Sequence, residues 1–303
     1  MIKKFSLLII FILLTINLSI PSKASEFKDY EIEMKQDILI LMLSYPSYIV
    51  NVEKSNDKVY LIMKSGKKII YDDKIQKTPE EKLSNADLQD VLEQYYPLEK
   101  NNIVLSKDFD PGRARPYELL DEVYGESQKL IESNLTNLNY GYNYKFNSQN
   151  NANTSLVSCL KEIIPMSKSR SDIGSLLYPA SGTYNYRVIA GTGRLSPHSY
   201  GIAIDLKLDK RDYWKWSSEE QGSKRISEYP KELVETFEKN NFVWGGKWNH
   251  FDILHFEYRP EIILKARYFT NWNEEDNWYE SSLLEKETIK DYIEIIEKSL
   301  NNI

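Results

Sequence analysis

The chain of 303 residues contains a single cysteine, Cys159, and only three histidines. One cysteine excludes an intramolecular disulfide, so the fold must be held together by its hydrophobic core. Cys159 lies in an apolar segment, which predicts a buried structural thiol rather than a nucleophile. Excess positive charge is also absent, because the formal net charge is −6. This charge gives no electrostatic support to a nucleic-acid partner, and we expect none.

Only the N-terminal segment is apolar enough to indicate a membrane span or an export signal. Lys3 and Lys4 precede an apolar run, residues 5–16, and Ala24 offers a small residue at a cleavage point. This arrangement is typical of a secretory signal, so residues 1–24 are predicted to be a signal peptide. The run is short for a stable membrane span, which favours cleavage over an uncleaved anchor. We therefore expect a protein that is secreted or associated with the cell envelope, with membrane contact only through an uncleaved signal.

The rest of the chain predicts an α+β fold in three parts. Residues 25–105 are predicted to form an N-terminal extension that contains a β-hairpin. Residues 106–275 are predicted to form the main domain, and residues 276–303 a C-terminal amphipathic helix.

Local patterns within these parts predict individual elements. Residues 58–63 and 67–71 are rich in β-formers and flank a Ser-Gly turn, which indicates the hairpin. One amphipathic helix is predicted from about residue 117 to residue 134, after a Pro- and Gly-rich turn. An Asn-Asn pair is predicted to end the preceding helix, and Phe242–Trp244 after it is predicted to be a strand.

The three histidines, His198, His250 and His255, are confined to two short stretches of the chain. Asp205 follows His198 in the first stretch, and Asp252 precedes His255 by three residues in the second. Imidazole and carboxylate are common zinc donors, and three protein ligands leave one position for water. Water bound to zinc becomes a nucleophile near neutral pH, and a second carboxylate beside it can take its proton. These residue types therefore predict a hydrolytic zinc site with two histidines, one ligand carboxylate and one base.

The spacing of these residues also resembles a known signature. The chain contains Ser196-x-His198-x-x-Gly201-x-Ala203-x-Asp205, followed by Asp252-x-x-His255. This pattern is similar to that of the zinc D-Ala-D-Ala carboxypeptidase and dipeptidase family, which includes L-alanyl-D-glutamate endopeptidases. The resemblance implies a small antiparallel sheet that carries the zinc site and is flanked by helices, the hedgehog or D,D-peptidase type of fold.

The resemblance implies a role for each matching residue. His198, Asp205 and His255 correspond to the zinc ligands of the family, so Zn²⁺ is the expected cofactor. Asp252 corresponds to the general base. Glu257 would lie on the same face of a strand as His255, where it could orient that ligand.

An arginine upstream of the first motif polarises the scissile carbonyl in the family. Arg187 is the first candidate for this role here, with Arg194 second, because a guanidinium keeps its charge at working pH. Further residues near the motifs are predicted to contact the substrate, namely Ser196, Tyr200, Trp248 and His250.

The function that the resemblance implies is an exported zinc metallopeptidase acting on peptidoglycan stem peptides. It would be a D-Ala-D-Ala carboxypeptidase or an L-Ala-D-Glu endopeptidase, and Asp252 followed by His255-Phe256 favours the endopeptidases. One alternative is a zinc-stabilised cell-wall binding module that has lost catalysis. Another alternative is a structural wall protein with incidental histidines, although the absence of sequence repeats argues against it.

Overall fold

The computed structural model describes residues 23–273, 275–281 and 284–301. Residues 1–22, which make up nearly all of the predicted signal peptide, lie outside the described residues. Across the described ranges, no helix is both long enough and apolar enough to span a bilayer.

The N-terminal part combines helices with a three-stranded sheet. Its elements are α1 (Lys23–Ser44), β1 (Ile49–Ser55), β2 (Lys58–Met63), β3 (Lys68–Ile70), α2 (Pro79–Asn85) and α3 (Leu88–Leu92). The three strands are antiparallel in the order β1-β2-β3. Strands β2 and β3 are the predicted hairpin, which is confirmed.

The middle of the chain carries most of the helices around a second hairpin. Its elements are α4 (Tyr117–Tyr124), α5 (Gln128–Ser133), β4 (Leu135–Asn139), β5 (Asn143–Asn147), α6 (Ala152–Ser169), α7 (Ser171–Leu177) and α8 (Pro197–Tyr200). The prediction of one helix over residues 117–134 is wrong, because α4 ends at Gly125. That glycine has φ +124°, and a Cβ on it would lie 2.9 Å from the backbone nitrogen of Ile131. The backbone therefore turns here instead of continuing the helix.

The last part of the chain contains the sheet that is central to the site. Its elements are β6 (Ala203–Asp205), α9 (Glu219–Glu228), α10 (Lys231–Lys239), β7 (Phe242–Trp244), β8 (His255–Tyr258), α11 (Pro260–Tyr268) and α12 (Lys286–Asn301). The strands are antiparallel in the order β6-β8-β7. The predicted strand Phe242–Trp244 is confirmed, and the predicted C-terminal helix is present from Lys286. The fold is therefore mixed α+β with small antiparallel sheets, while the hedgehog type of fold stays a prediction.

Helices cover the central sheet and join it to the N-terminal part. Phe237 of α10 stacks on Phe256 of β8 with ring centroids 4.0 Å apart. On the other side, α1 packs against α11 and α12, and Ile38 of α1 is fully buried. Cys159 of α6 is also buried, as predicted. Buried residues from α1 to α12 contribute to one hydrophobic cluster. The division of the chain at residues 105 and 275 stays a prediction.

Candidate metal centre

The side chains of His198, Asp205 and His255 converge at the edge of the central sheet. His198 Nε2 lies 3.3 Å from His255 Nδ1 and 3.2 Å from Asp205 Oδ2. His255 Nδ1 lies 2.8 Å from Asp205 Oδ1. Ligands of a tetrahedral zinc ion at the usual bond lengths of about 2.0–2.2 Å are separated by roughly 3.3 Å. Two of the three separations are close to this value, and the third is a hydrogen-bond length, so the donors are grouped closely enough to hold one metal ion.

The sequence motif explains this convergence through local structure. Strand β6 pairs with β8 so that Asp205 lies directly opposite His255. His198 lies in the short helix α8, where Ser196 caps the N-terminus by accepting a hydrogen bond from the His198 backbone. Gly201 ends α8 with φ +68°, and a Cβ there would lie 2.5 Å from Leu135. Only glycine allows this close turn from α8 into β6.

The second ring nitrogens of the two histidines have different surroundings. His198 Nδ1 lies 2.6 Å from the carbonyl oxygen of Thr183. Because a carbonyl only accepts, Nδ1 carries a proton, which leaves Nε2 as the ring atom that faces the centre. His255 Nε2 is buried and lies 3.5 Å from Glu257 Oε2. The main chain therefore holds His198 through a hydrogen bond, whereas His255 Nε2 has a carboxylate nearby and no hydrogen-bond partner among the described residues.

Glu257 is held by two buried arginines. Arg115 donates from Nε to Glu257 Oε1 at 2.9 Å and from Nη2 to Glu257 Oε2 at 2.7 Å. Arg259 Nη1 lies 3.4 Å from Glu257 Oε1. Although burial opposes ionisation, the charge of Arg115 holds the pKa of Glu257 far below its usual range. Glu257 lies on β8 near His255, as the sequence predicts, and its role in orienting that ligand stays a prediction.

The contacts among the donors also shift the pKa values of His255 and Asp205 in opposite directions. Burial lowers the pKa of His255, but its hydrogen bond to Asp205 and the nearby carboxylate of Glu257 outweigh this effect and raise the pKa to about 10. Burial opposes ionisation of Asp205, yet the nearby histidines hold the pKa of this carboxyl well below its usual range. The centre therefore combines a carboxylate with an imidazolium whose proton a metal cation must displace.

Asp252 lies beside the three donors, at the end of a tight loop. Its backbone N–H donates to the carbonyl oxygen of Gly245 at 3.0 Å, and its own carbonyl accepts from His255 N–H at 3.0 Å. A Cβ at Gly245 would lie 2.4 Å from the Asp252 carbonyl oxygen, so the loop closes only on glycine. Burial of the carboxyl raises the pKa of Asp252 to about 6. A carboxylate with this pKa can take up and release a proton near neutral pH.

Two cavities meet at the donor cluster and together form a cleft. The first, of about 850 Å³, is lined mainly by neutral polar side chains, and we call it the amide arm. It includes Asn137, Asn143, Ser181, Thr183 and Asn185, with Lys145 as a charged member. The second, of about 190 Å³, we call the arginine arm because Arg113, Arg115, Arg187 and Arg194 line it. His198 and Asp205 line both arms, whereas His255 and Asp252 line the arginine arm.

Arg187 lines both arms, at the junction between them. Its backbone N–H donates to Ser199 Oγ at 2.8 Å, and its carbonyl accepts from Ser196 N–H at 3.0 Å. These bonds tie Arg187 to the helix that carries His198. Arg194 lines the arginine arm but not the amide arm, and its guanidinium lies 5.5 Å from the ring centre of Tyr117.

The predicted substrate contacts have different surroundings. Trp248 lines the arginine arm, with its ring 5.8 Å from that of His255. His250 lines the same arm and bonds through Nδ1 to Asp110 Oδ2 at 2.6 Å. Ser196 also lines this arm, but it is almost fully buried and its hydroxyl caps α8. The contacts of Ser196 indicate a structural role, and Trp248 is nearly as buried, at 3% exposure. Substrate contact by Trp248 and His250 stays a prediction.

Tyr200 does not fit its predicted role. Its side chain is 1% exposed, and its hydroxyl donates to Asp121 Oδ1 at 2.6 Å. It lines neither arm of the cleft. The helix that presents His198 to the cleft directs Tyr200 into the core, so the prediction of a substrate contact is corrected to a packing role.

Arg113 and Arg115 are cleft residues that sequence reasoning missed. The sequence marks them only as part of a turn that precedes α4. The turn lies far from the histidines along the chain, and the fold brings it to the back of β8, where Arg115 meets Glu257. The alternation of two arginines within a Pro- and Gly-rich turn is the one signal that could have singled them out.

The comparisons with known proteins agree with the sequence motif. Residues 190–258 match a family model described as D-alanyl-D-alanine carboxypeptidase. The peptidoglycan L-alanyl-D-glutamate endopeptidase CwlK of Bacillus subtilis (strain 168) is 39% identical to this chain over 70 residues. The aligned part covers 22% of this chain and 42% of that relative. No solved structure matches the chain. The predicted resemblance is therefore confirmed over the matched segment, and the chain spans less than half the length of the relative.

Proposed function

We propose that this chain is an exported zinc metallopeptidase that hydrolyses peptide bonds in peptidoglycan stem peptides. The observation that carries the proposal is the convergence of His198, Asp205 and His255 beside Asp252 in one cleft. The comparisons support the substrate class, since the matching family model is described as D-alanyl-D-alanine carboxypeptidase and the similar protein CwlK as a peptidoglycan L-alanyl-D-glutamate endopeptidase. Export to the cell envelope would place the protein where such peptides occur.

The donor set fits zinc better than it fits the hard cations. Two imidazole nitrogens and one carboxylate are typical of catalytic zinc sites, whereas Mg²⁺ and Ca²⁺ prefer all-oxygen sites. His198 would hold the ion through Nε2, Asp205 through a carboxylate oxygen and His255 through Nδ1. When bound there, zinc supplies a Lewis acid that activates water and polarises a carbonyl group.

Asp252 moves the proton in the proposed reaction. Its carboxylate accepts a proton from the attacking water and returns that proton to the leaving amine. Because burial raises its pKa to about 6, both transfers are feasible near neutral pH. Its backbone bonds to Gly245 and His255 fix the loop that carries the carboxyl, and the group of potential metal donors found among the described residues does not include Asp252.

Arg187 would steady the oxygen on which negative charge develops. Its side chain lies where the two arms meet, and its backbone is tied to the helix that carries His198. A positive donor positioned before the reaction stabilises the transition state at little reorganisation cost.

The two arms favour an internal peptide bond over a terminal one. His198 and Asp205 border both cavities, so substrate residues can lie on each side of the donor cluster. A carboxypeptidase needs space for only one residue beyond the scissile bond. We therefore propose endopeptidase activity, in line with the residues around Asp252.

The competing candidate is a zinc-stabilised binding module without catalysis. A module of this kind has no need for a base or for a carbonyl-polarising arginine. Asp252 and Arg187 both line the cleft beside the donors, which favours the enzyme.

Digestion of purified muropeptides with analysis of the products by mass spectrometry tests the proposal. The zinc-loaded protein should split one bond with the addition of one water, a chelator should stop the reaction, and added zinc should restore it. Asp252→Asn is the matched control, because it keeps the size of the side chain and removes the proton acceptor. Intact muropeptides after incubation with protein that holds one zinc per chain would instead identify a binding module.

A further inference from the structure

The arginine arm carries more positive charge than the proposed reaction uses, because that reaction assigns a role to Arg187 alone. Four arginines line it. The carboxylates that line it are Asp205 and Asp252, and the proposed chemistry uses both. One of the arginines, Arg115, is neutralised by Glu257 behind the centre.

Two guanidinium groups, those of Arg113 and Arg194, are therefore available to a ligand in this arm. Arg194 lies against the ring of Tyr117 and forms no ion pair with a carboxylate in the part of the chain that the structure describes. Arg113 is the more firmly held of the two.

Arg113 is fixed in place while most of its donors stay free. Its Nη1 donates to Asp110 Oδ2 at 3.1 Å, which is its one side-chain hydrogen bond within the described ranges. Asp110 is itself fixed by His250, whose backbone N–H and Nδ1 lie 2.9 Å and 2.6 Å from its two oxygens. The Arg113 side chain is only 21% exposed. A guanidinium that is partly desolvated and shares its one carboxylate with a histidine is well suited to bind another anion.

The amide arm differs in kind. Apart from the residues that it shares with the arginine arm, Lys145 is its charged side chain, and amides and hydroxyl groups line the rest. A substrate that lies across the donors therefore meets neutral polar groups on one side and several positive charges on the other.

We infer that the arginine arm binds a carboxylate of the substrate, with Arg113 as the residue that selects it. The preferred substrate is then a peptide that carries a free carboxylate within one or two residues of the scissile bond, on the side of the arginine arm. A γ-linked glutamate is one example, because its α-carboxylate stays free. The inference rests on the proposed peptidase function and specifies its substrate class. Two parallel N–H···O bonds from a guanidinium match the shape of a carboxylate and do not form with a carboxamide.

A pair of peptides that differ in one group tests this inference. In both, an alanine is joined to the amino group of a glutamate, and the chain continues through the γ-carboxyl group of that glutamate. The α-carboxylate of the glutamate is free in one peptide and amidated in the other. Zinc-loaded wild-type protein should cleave the free carboxylate peptide with a kcat/KM about 10–100-fold higher, the usual value of a charged hydrogen bond. Equal kcat/KM values for the two peptides would overturn the inference and leave the peptidase function intact.

Substitutions test whether Arg113 causes the preference for the peptide with the free carboxylate. In Arg113→Gln, kcat/KM for the carboxylate peptide should fall to the value for the amidated peptide, which itself should change little. Arg113→Lys should retain part of the preference, because the charge stays but the two-pronged geometry is lost. Arg170→Gln is the control, since Arg170 is exposed, pairs with Asp172 and lines neither arm. A preference that persists unchanged in Arg113→Gln would rule out Arg113 as the selecting residue.

Binding measurements separate this inference from the proposed function. If zinc-loaded protein cleaves neither peptide, the proposed function fails, and titration calorimetry with the same two peptides then decides the inference. Tighter binding of the carboxylate peptide to wild-type protein, lost in Arg113→Gln, supports the arginine arm as a carboxylate site. Equal binding of the two peptides contradicts it.

Discussion

The metal donors and the groups assigned to turnover lie in different kinds of structure. Asp205 and His255 lie on paired strands and His198 on a capped helix. Asp252 and Arg187 lie in connecting segments and are held mainly by backbone hydrogen bonds. The donors therefore depend on the sheet, whereas the catalytic groups depend on loop closure. We therefore expect that some substitutions abolish metal binding, while others slow turnover and leave the metal bound.

Removal of a donor should have the largest effect. His198→Ala or His255→Ala leaves two ligands, so stoichiometric zinc binding and cleavage should both be lost. The protein should stay folded, because a core of this size forms without metal. Metal analysis after dialysis, together with circular dichroism, checks the result. One zinc per chain in both variants would show that the ligand assignment is wrong.

Removal of the base should separate the two functions of the cleft. Asp252→Asn should keep zinc bound, while turnover falls by a factor on the order of 10²–10⁴. Zinc content and peptide cleavage are measured on the same preparation. Normal cleavage would exclude Asp252 as the base, and loss of zinc would make Asp252 a ligand and require that Asp205 be reassigned. Asp252→Glu should retain part of the activity, because the longer side chain still supplies a carboxylate.

Weakening the support of one donor should have a smaller effect. Glu257→Gln removes the charge that faces His255 Nε2, so zinc affinity should fall by about 10–100-fold. Competition with a chromophoric chelator measures this change. His250→Gln is the matched control, because it removes a histidine from the same cavity without touching the donors, and its zinc affinity should equal that of the wild type. Unchanged affinity in Glu257→Gln would mean that Glu257 does not brace the ligand.

Substitution behind the cleft should have the smallest effect on turnover. Tyr200→Phe removes the hydroxyl that donates to Asp121, so the free energy of unfolding should fall by about 1 kcal/mol. Peptide cleavage should stay within about twofold of wild type. Denaturant unfolding and steady-state kinetics test the two parts. A large rise in KM without loss of stability would restore Tyr200 as a substrate contact.

Much of the candidate site could be predicted because its signals are local in sequence. His198, Gly201 and Asp205 lie within one helix, turn and strand, and the spacing of Asp252 and His255 is set by one loop. The convergence of the donors follows once strands β6 and β8 pair, as the motif implies.

The surroundings of the site could not be predicted in the same way, because they depend on contacts distant in sequence. The helix α1 carries charges that would normally mark an exposed segment, yet Asp37 is buried with Lys265 at 2.7 Å. Likewise, Arg115 reaches Glu257 across 142 positions of the chain. A buried charge is tolerated only with its partner, and the partner is known only from the folded structure. For the same reason, the sequence does not predict the arginine arm.

Stepwise addition of zinc to the metal-free protein, with cleavage of muropeptides followed at each step, tests the central claim most directly. We predict that the cleavage rate rises in proportion to the zinc bound and reaches its maximum at one zinc per chain. Cleavage that does not depend on zinc, or one bound zinc per chain with no cleavage, would contradict a zinc peptidase built on His198, Asp205 and His255.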